Sequence, residues 1–390
     1  MEEWKEYKLG NVCEVLNGRA YKQEELLSKG KYPVLRVGNI FQGNNWYYSD
    51  LELPENKYCN KGDLLYAWSC GFAPYIWEGD KTIYHYHIWK LIENKEILDR
   101  KFLYYYLIIN TKRFVGGIHG SVMVHLTKKD MENQVLKVPS LPTQQKIANI
   151  LSSLDDKIEV NCRINEQLEE LAQALFKSWF VDFEPFKDGE FVESELGMIP
   201  EGWKVGTLGN VADVVMGASP AGSSYNTEGN GSIFYQGRTD FGFRFPNVRM
   251  YTTEPKRFAE SNSVLLSVRA PFGDVNIAFE KCCIGRGLAS IKSNSNADSY
   301  TYYLMKSLKP VLDNYNNEGT VFGCINKDAL NNLSIVVPTI EIIKEFERIV
   351  SCSDMEIRRR SEEITHLTNL RDTLLPKLMS GEIDVNDVEI

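Results

Sequence analysis

A chain of 390 residues that repeats itself is confined to folds built from two like halves, and this one repeats at an offset of 199. Trp4-Lys5 matches Trp203-Lys204, Leu9-Gly10-Asn11-Val12 matches Leu208-Gly209-Asn210-Val211, and Val15 and Gly18 match Val214 and Gly217. The offset returns at Gly38 and Gly237, Gly120 and Gly319, Lys128 and Lys327, and Val138-Pro139 and Val337-Pro338. It persists at Asp155 and Asp354, at Ile158 and Ile357, and from Leu168, Leu171 and Leu175 to Leu367, Leu370 and Leu374. The halves agree at their ends and differ in their middles. A duplication kept for stability alone has no reason to diverge there. One architecture presenting two different surfaces does.

Each half has two parts. The first is mixed, with short β-rich runs at 32–40, 64–68 and 83–91, then at 232–236, 264–268 and 276–279, punctuated by Gly, Asn, Asp and Pro. Helical stretches follow near 100–110 and 300–312. The second part is a long helix, opening after Pro139-Ser140-Leu141-Pro142-Thr143, where Ser140 or Thr143 caps and Pro is tolerated. Apolar residues recur at Ile147, Ile150, Leu151, Leu154 and Ile158, then at Ile164, Leu168, Leu171, Leu175 and Trp179, with a phase shift near Asn161. The second copy carries Phe346, Ile349, Val350, Ile357, Ile364, Leu367, Leu370, Leu374 and Leu378. A helix over 143–180 spans about 57 Å at ~1.5 Å per residue, against a radius of gyration of ~14 Å for a 140-residue globule. It needs a partner beyond its own domain, and its repeat is the nearest, so the helices are expected to form an antiparallel coiled coil. The expected fold is α+β, two mixed α/β domains separated by two paired long helices, with an internal pseudo-two-fold repeat. The boundaries are 1–140, 141–198, 199–338 and 339–390.

Composition narrows the class. Apolar residues make up 43% and charged residues 25%, an ordinary globular balance. No run of eighteen apolar residues marks a membrane span. The charged start at Met1-Glu2-Glu3-Trp4-Lys5 does not read as a signal or transit peptide. Eight cysteines without C-x-x-C spacing read as reduced thiols, so a cytoplasmic location is expected. The net charge of −9 is unevenly spread: +2 over 1–140, −7 over 141–198, +1 over 199–338 and −5 over 339–390. The acidity lies in the helices and leaves the domains free to carry a local basic face.

Motifs for chemistry are not found. There is no G-x-x-x-x-G-K-[ST] loop, no adenine-methylation Asn-Pro-Pro-Tyr or Asp-Pro-Pro-Tyr, and no G-x-G-x-x-G; Gly285-Arg286-Gly287 is only a fragment of the last. His85 and His87 would share one face of a strand, as a metal pair would, but no third ligand lies nearby, so no metal site is expected. Four of five histidines fall in the first domain and none in the second, which excludes a catalytic histidine shared by both halves. Cys282-Cys283 and Tyr104-Tyr105-Tyr106 read as packing, and Arg358-Arg359-Arg360 as a solvated face with helical partners.

Long hydrogen-bonding side chains on loops are instead the chemistry of base reading: Arg for guanine, Asn or Gln for adenine. In the first domain such loops carry Arg19, Arg36 with Asn39, Trp68-Ser69, and His119 with Ser121, followed by Lys128. Matching places in the second carry Ser219, Arg238-Thr239, Arg269, and Thr320, followed by Lys327. Trp179, Phe180 and Phe183, near the end of the first long helix, are candidate anchors for a protein partner.

At these residues the sequence resembles the specificity (S) subunit of type I restriction–modification systems, over essentially its whole length. Both mixed parts open with Trp-x-x-x-x-Leu-Gly-Asn-Val, like that family's target recognition domains. Residues 141–148, Ser178-Trp179-Phe180-Val181-Asp182-Phe183, Gly197-Met198-Ile199-Pro200-Glu201-Gly202-Trp203, and residues 374–383 are similar to its central and C-terminal conserved regions. One departure is residues 338–343, which lack the glutamine of the first copy. The resemblance implies that each domain reads one half of a split, asymmetric double-stranded DNA site. It implies that the helices set the gap and dock two methyltransferase (M) subunits, and that two restriction (R) subunits complete the nuclease. It also implies a chain with no catalytic residues and no cofactor, S-adenosylmethionine, ATP and Mg belonging to the partner subunits. A non-catalytic adaptor gripping proteins across a helical spacer is the alternative.

Overall fold

A computed structural model describes residues 3–43, 45–69, 71–116, 126–269, 272–317 and 325–385. The chain forms two compact units, Met1–Val160 with Glu363–Ile390, and Asn161–Glu362. These units cut both long helices near their middles, whereas the boundaries read from sequence at 140/141 and 338/339 fall at the helix starts and the one at 198/199 falls inside the strand Gly197–Pro200.

In the first unit, Lys5–Lys8 pairs antiparallel with Val135–Val138, Lys5 opposite Val138. In the second, Lys204–Thr207 pairs with Ser334–Val337, Lys204 opposite Val337, so the register is the same at an offset of 199. Each opening strand leads into a one-turn helix, Leu9–Val12 or Leu208–Val211, and then a core strand, Cys13–Asn17 or Ala212–Met216. The core sheet of the first unit runs Cys13–Asn17, Ile88–Glu93, Leu64–Trp68, Phe72–Ile76, all antiparallel. Pro74 lies on the edge strand, where a missing N–H is tolerated. The second unit repeats that order with Ala212–Met216, Leu288–Ser293, Val264–Ser267, Val275–Ile277. A second, mixed sheet in each unit holds a parallel pair, Tyr32–Leu35 with Thr82–Tyr84 and Ser232–Tyr235 with Cys282–Ile284. Within these middles the equivalence slips to an offset of 200.

Two expectations for the first domain change. The run 32–40 is a strand only to Leu35, then a short helix, Val37–Gln42. The run 83–91 is broken by a turn at Tyr86-His87, so His85 and His87 do not share a strand.

The long helices are Leu141–Phe180 and Ile340–Ser380. Their pairing is antiparallel within each unit: Asp155 meets Arg371 in the first (2.8 Å), while Phe176 meets Phe346 (5.6 Å) and Asn161 meets Arg360 (2.8 Å) in the second. The buried stripe of the first helix differs from the apolar pattern. Leu171 is 65% exposed, and the stripe passes through Asn161, Asn165 and Glu169, all buried. In the second helix Ile349 and Leu370 also face outward. Polar residues hold the inner face because each finds a partner there, Asn161 on Arg360 and Glu169 on Arg244.

Gln144 begins the first helix fully buried. Its side-chain amide donates to the carbonyls of Ile97 (2.8 Å) and Pro139 (2.9 Å), and its oxygen accepts from the Asp99 N–H (2.9 Å). Ile343 stands at the equivalent position of the repeat, 5% exposed in an apolar core. The glutamine missing from residues 338–343 is thus a polar staple exchanged for an apolar one.

One of the three candidate anchors, Phe180, is corrected. Phe180 lies in the core of the second unit, at 5.1 Å from the rings of both Tyr300 and Phe346. Trp179 and Phe183 are half-buried against Phe346 and Trp203. Phe180 therefore holds the helix to its domain, while Trp179 and Phe183, the latter beyond the helix end, pack against that core and stay partly exposed.

Candidate nucleic-acid interface

Gly18 ends a core strand of the first unit, and Gly217 its counterpart in the second. A Cβ on Gly18 would lie 2.2 Å from the His85 carbonyl oxygen, and one on Gly217 2.1 Å from that of Gly285. The absent side chain lets this loop press against the turn that joins Thr82–Tyr84 to Ile88–Glu93, or Cys282–Ile284 to Leu288–Ser293.

The same backbone bonds then hold both turns. Gly18 N–H donates to Ile88 (3.2 Å) and Gly217 N–H to Leu288 (2.9 Å); Arg19 N–H donates to Tyr84 (3.1 Å) and Ala218 N–H to Ile284 (3.0 Å). His85 N–H donates to Leu35 (2.9 Å) and Gly285 N–H to Tyr235 (2.8 Å), while Trp68 and Val268 donate to His87 (3.1 Å) and Gly287 (2.9 Å). Four loop segments thereby meet at one end of each β-framework. Their side chains have diverged: Arg19 against Ala218, Arg36 against Gln236, Trp68-Ser69 against Val268-Arg269, and His85-Tyr86-His87 against Gly285-Arg286-Gly287.

In the first unit the structure brings together Arg19, Arg36, Asn39, Trp68 and Ser69. Arg19 is forked onto Glu25 (2.9 and 2.7 Å), and that guanidinium first, with the Lys22 N–H, holds the Glu25 carboxyl down at about 2. Arg36 lies over the Tyr47 ring at 4.3 Å. Asn39 is buried and accepts from the Arg36 N–H (3.0 Å), which makes it a cap of its short helix and not a free reader. Ser69 is buried at 3% exposure. The Trp68 indole N–H donates to the Tyr86 carbonyl (2.8 Å), and its ring stacks on Trp89 (5.5 Å) and meets His87 edge-on (5.2 Å). Burial, then the charges of His87 and Arg36, pushes the His85 imidazole down to about 4. No group of three or more potential metal ligands occurs among the described residues.

In the second unit Ser219 accepts from the Arg286 N–H (3.2 Å). Arg238 is ion-paired with Asp274, and Thr239 accepts from Arg249 (3.2 Å). Arg269 and Arg286 are exposed, and neither has a carboxylate partner among the described residues. Lys128 and Lys327 are not brought to these clusters. They open Lys128–Glu132 and Lys327–Asn331, which pack against Leu9–Val12 and Leu208–Val211 at the opposite ends of the core strands. His119, Ser121 and Thr320 lie outside the described residues. The apices of the matched turns, Tyr86 and Arg286, are not among the site candidates read from sequence, although His85 with His87 and Gly285-Arg286-Gly287, which enclose them, stand out there.

Other candidates prove structural. Arg358 donates to Asn262 (2.8 Å) and lies 3.8 Å over Phe279, Arg359 is forked onto Glu356 (3.0 and 2.9 Å), and Arg360 bonds Asn161. The arginine run is therefore less solvated than its helical pattern implies. Cys282 and Cys283 are buried, and burial pushes the Cys282 thiol up to about 12. Among the described residues no helix is long and apolar enough to cross a membrane.

Two copies of one loop platform, alike in backbone and unlike in side chains, make this a two-module recognition protein. Residues 1–170 and 200–366 match the family described as "Type I restriction modification DNA specificity domain". The chain is 32% identical over 410 residues to a putative type I restriction enzyme MjaX specificity subunit of Methanocaldococcus jannaschii, covering 98% of this chain and 94% of that protein. It is 25% identical to the type I restriction enzyme HindI specificity subunit of Haemophilus influenzae, covering 98% and 100%. The crystal structure of a type I restriction–modification S subunit from M. genitalium has the same fold, with a TM-score of 0.64 at 17% identity over 97% of this chain and 96% of that one. This chain belongs to the type I restriction–modification DNA specificity family.

Proposed function

We propose that this chain is the DNA sequence-specificity subunit of a type I restriction–modification complex. Each recognition domain reads one half of a bipartite, asymmetric double-stranded site, and the long helices set the gap and dock two M subunits. Two R subunits complete the assembly in the cytoplasm. The chain contributes recognition and no chemistry; S-adenosylmethionine, ATP and Mg are held by the partners. The observation that carries this reading is the pair of loop platforms with matched backbone bonds and different side chains. A reader of two different half-sites needs that arrangement. The acidic helices are disfavoured as a DNA surface, since phosphates repel them. Their outward apolar residues Leu171 and Met355, with the partly exposed Trp179 and Phe183, are the contacts offered to an M subunit.

The test is methylome sequencing of cells that express the chain with its M subunit, before and after exchange of residues 1–140 for those of a relative. A split methylated motif with one half altered by the exchange is expected. Unaltered methylation would support the protein adaptor.

A further inference from the structure

We infer that the apex of the matched turn, Tyr86 in the first domain and Arg286 in the second, determines which base each domain reads, and that Arg286 reads a guanine. The inference rests on the DNA-reading function proposed above and assigns the position that executes it.

The turn is fixed in the same way in both domains. Its first residue donates to the parallel strand, from His85 to Leu35 (2.9 Å) or from Gly285 to Tyr235 (2.8 Å). It closes on itself, Ile88 N–H to His85 (2.9 Å) or Leu288 N–H to Gly285 (3.0 Å), and its third residue accepts from Trp68 or Val268. All three residues of the turn differ between the domains, and only the apex is exposed in both. Tyr86 is 38% exposed, and Arg286 is exposed as well.

In the second domain the surroundings single out Arg286. A Cβ on Gly287 would come within 2.6 Å of the Gln236 carbonyl oxygen, and one on Gly285 within 3.1 Å. The turn therefore lies tight on Gln236 and carries one side chain. Ser219 accepts from the Arg286 N–H (3.2 Å) and braces the apex from the neighbouring loop. The cations Arg238 and Arg249 already hold Asp274 and Asp240, whereas Arg286, like Arg269, has no carboxylate partner among the described residues, and of these two only Arg286 stands on the braced turn. A guanidinium fork on a braced backbone matches O6 and N7 of guanine in the major groove. At the first domain's apex Tyr86 packs against His87 (3.9 Å) and His85 (4.5 Å). It offers a ring face and one hydroxyl, and no fork.

The test uses the chain assembled with its M subunit, with motif specificity read by methylome sequencing and by competition binding on half-site variants. Arg286→Ala should relax one guanine in the second half-site, cutting discrimination there by about 5- to 150-fold. The first half-site should be untouched, and Arg286→Lys, which keeps the charge and loses the fork, should be intermediate. The exchange His85→Gly, Tyr86→Arg, His87→Gly should add a guanine preference to the first half-site. The inference is overturned if Arg286→Ala leaves both half-sites intact. It is equally overturned if binding weakens evenly on all sequences with a salt slope shallower by about one, the mark of a phosphate contact. In either case the wild-type motif still stands and only the assignment of the apex fails. A wild-type complex without a specific motif would remove the DNA reading and this inference together.

Discussion

Arg244 is 1% exposed, and it joins the second recognition domain to both long helices through ion pairs with Glu169 and with Asp354 (2.6 Å). Its guanidinium also lies 4.3 Å over the Tyr302 ring and donates to the Tyr303 hydroxyl (2.8 Å). Burial pushes the Glu169 carboxyl up, but Arg244 and Lys306 outweigh it and hold the group below its usual range. Arg244→Met would leave the buried Glu169 and the half-buried Asp354 without their main partner, a change that costs about 3–5 kcal/mol. Glu169 would keep Lys306 (2.6 Å) and the Tyr302 hydroxyl (3.0 Å), and Asp354 the Tyr303 hydroxyl (3.1 Å), so the low end, about 3 kcal/mol, is expected. For a unit of this size that lowers Tm by about 6–12 °C. The first half supplies its own control. Tyr105 donates to Asp155 (2.6 Å) as Tyr303 does to Asp354, but the cation there is Arg371, at 29% exposure and shared with Asp372. Arg371→Met should cost about 1 kcal/mol or less. Adding Glu169→Gln and Asp354→Asn to Arg244→Met should recover at least half of the loss, because the orphaned charges are gone. Calorimetric melts of the four proteins decide. Equal losses for Arg244→Met and Arg371→Met, or a triple variant no more stable than Arg244→Met, would refute the account of Arg244 as the counter-charge of a buried triad.

Gly18→Ala and Gly217→Ala should each displace one loop platform at a cost of about 2–4 kcal/mol, because the added Cβ meets a carbonyl oxygen that its own turn fixes; motif sequencing should show only the corresponding half-site degraded. Phe180→Ala should cost about 3–5 kcal/mol in a denaturation curve while the folded fraction still binds the M subunit, since the ring packs inward. His85, with its imidazole pushed down to about 4, binds a proton in the unfolded chain that it refuses when folded. Its contribution is therefore fully present above pH ~6.5 and declines as pH falls toward 4, by no more than about 2 kcal/mol for a partly exposed ring. His85→Phe should flatten that part of the stability profile in pH-dependent melts.

The sequence by itself determined the duplication, the pairing of like ends, and the long helices. These rest on local signals: Trp-x-x-x-x-Leu-Gly-Asn-Val at each start, heptad-like spacing, and the Pro-Ser-Leu-Pro breaker. Gly18 and Gly217 were visible as a repeated pair, although the carbonyl oxygens that require them lie 67 and 68 residues further on, at His85 and Gly285. Only the tertiary structure decided which polar residues face inward. Asn161 reads as a phase shift and Glu169 as part of an acidic face, yet both are buried because Arg360 and Arg244 come to them from 199 and 75 residues away. The same holds for the recognition loops. Arg238 looks alike in sequence to Arg269 and Arg286, and the difference is that folding brings up Asp274 from 36 residues away to occupy its guanidinium. Local periodicity carries no information about such distant partners. The burial of a charge, or its freedom to meet DNA, is settled by what the fold places opposite it.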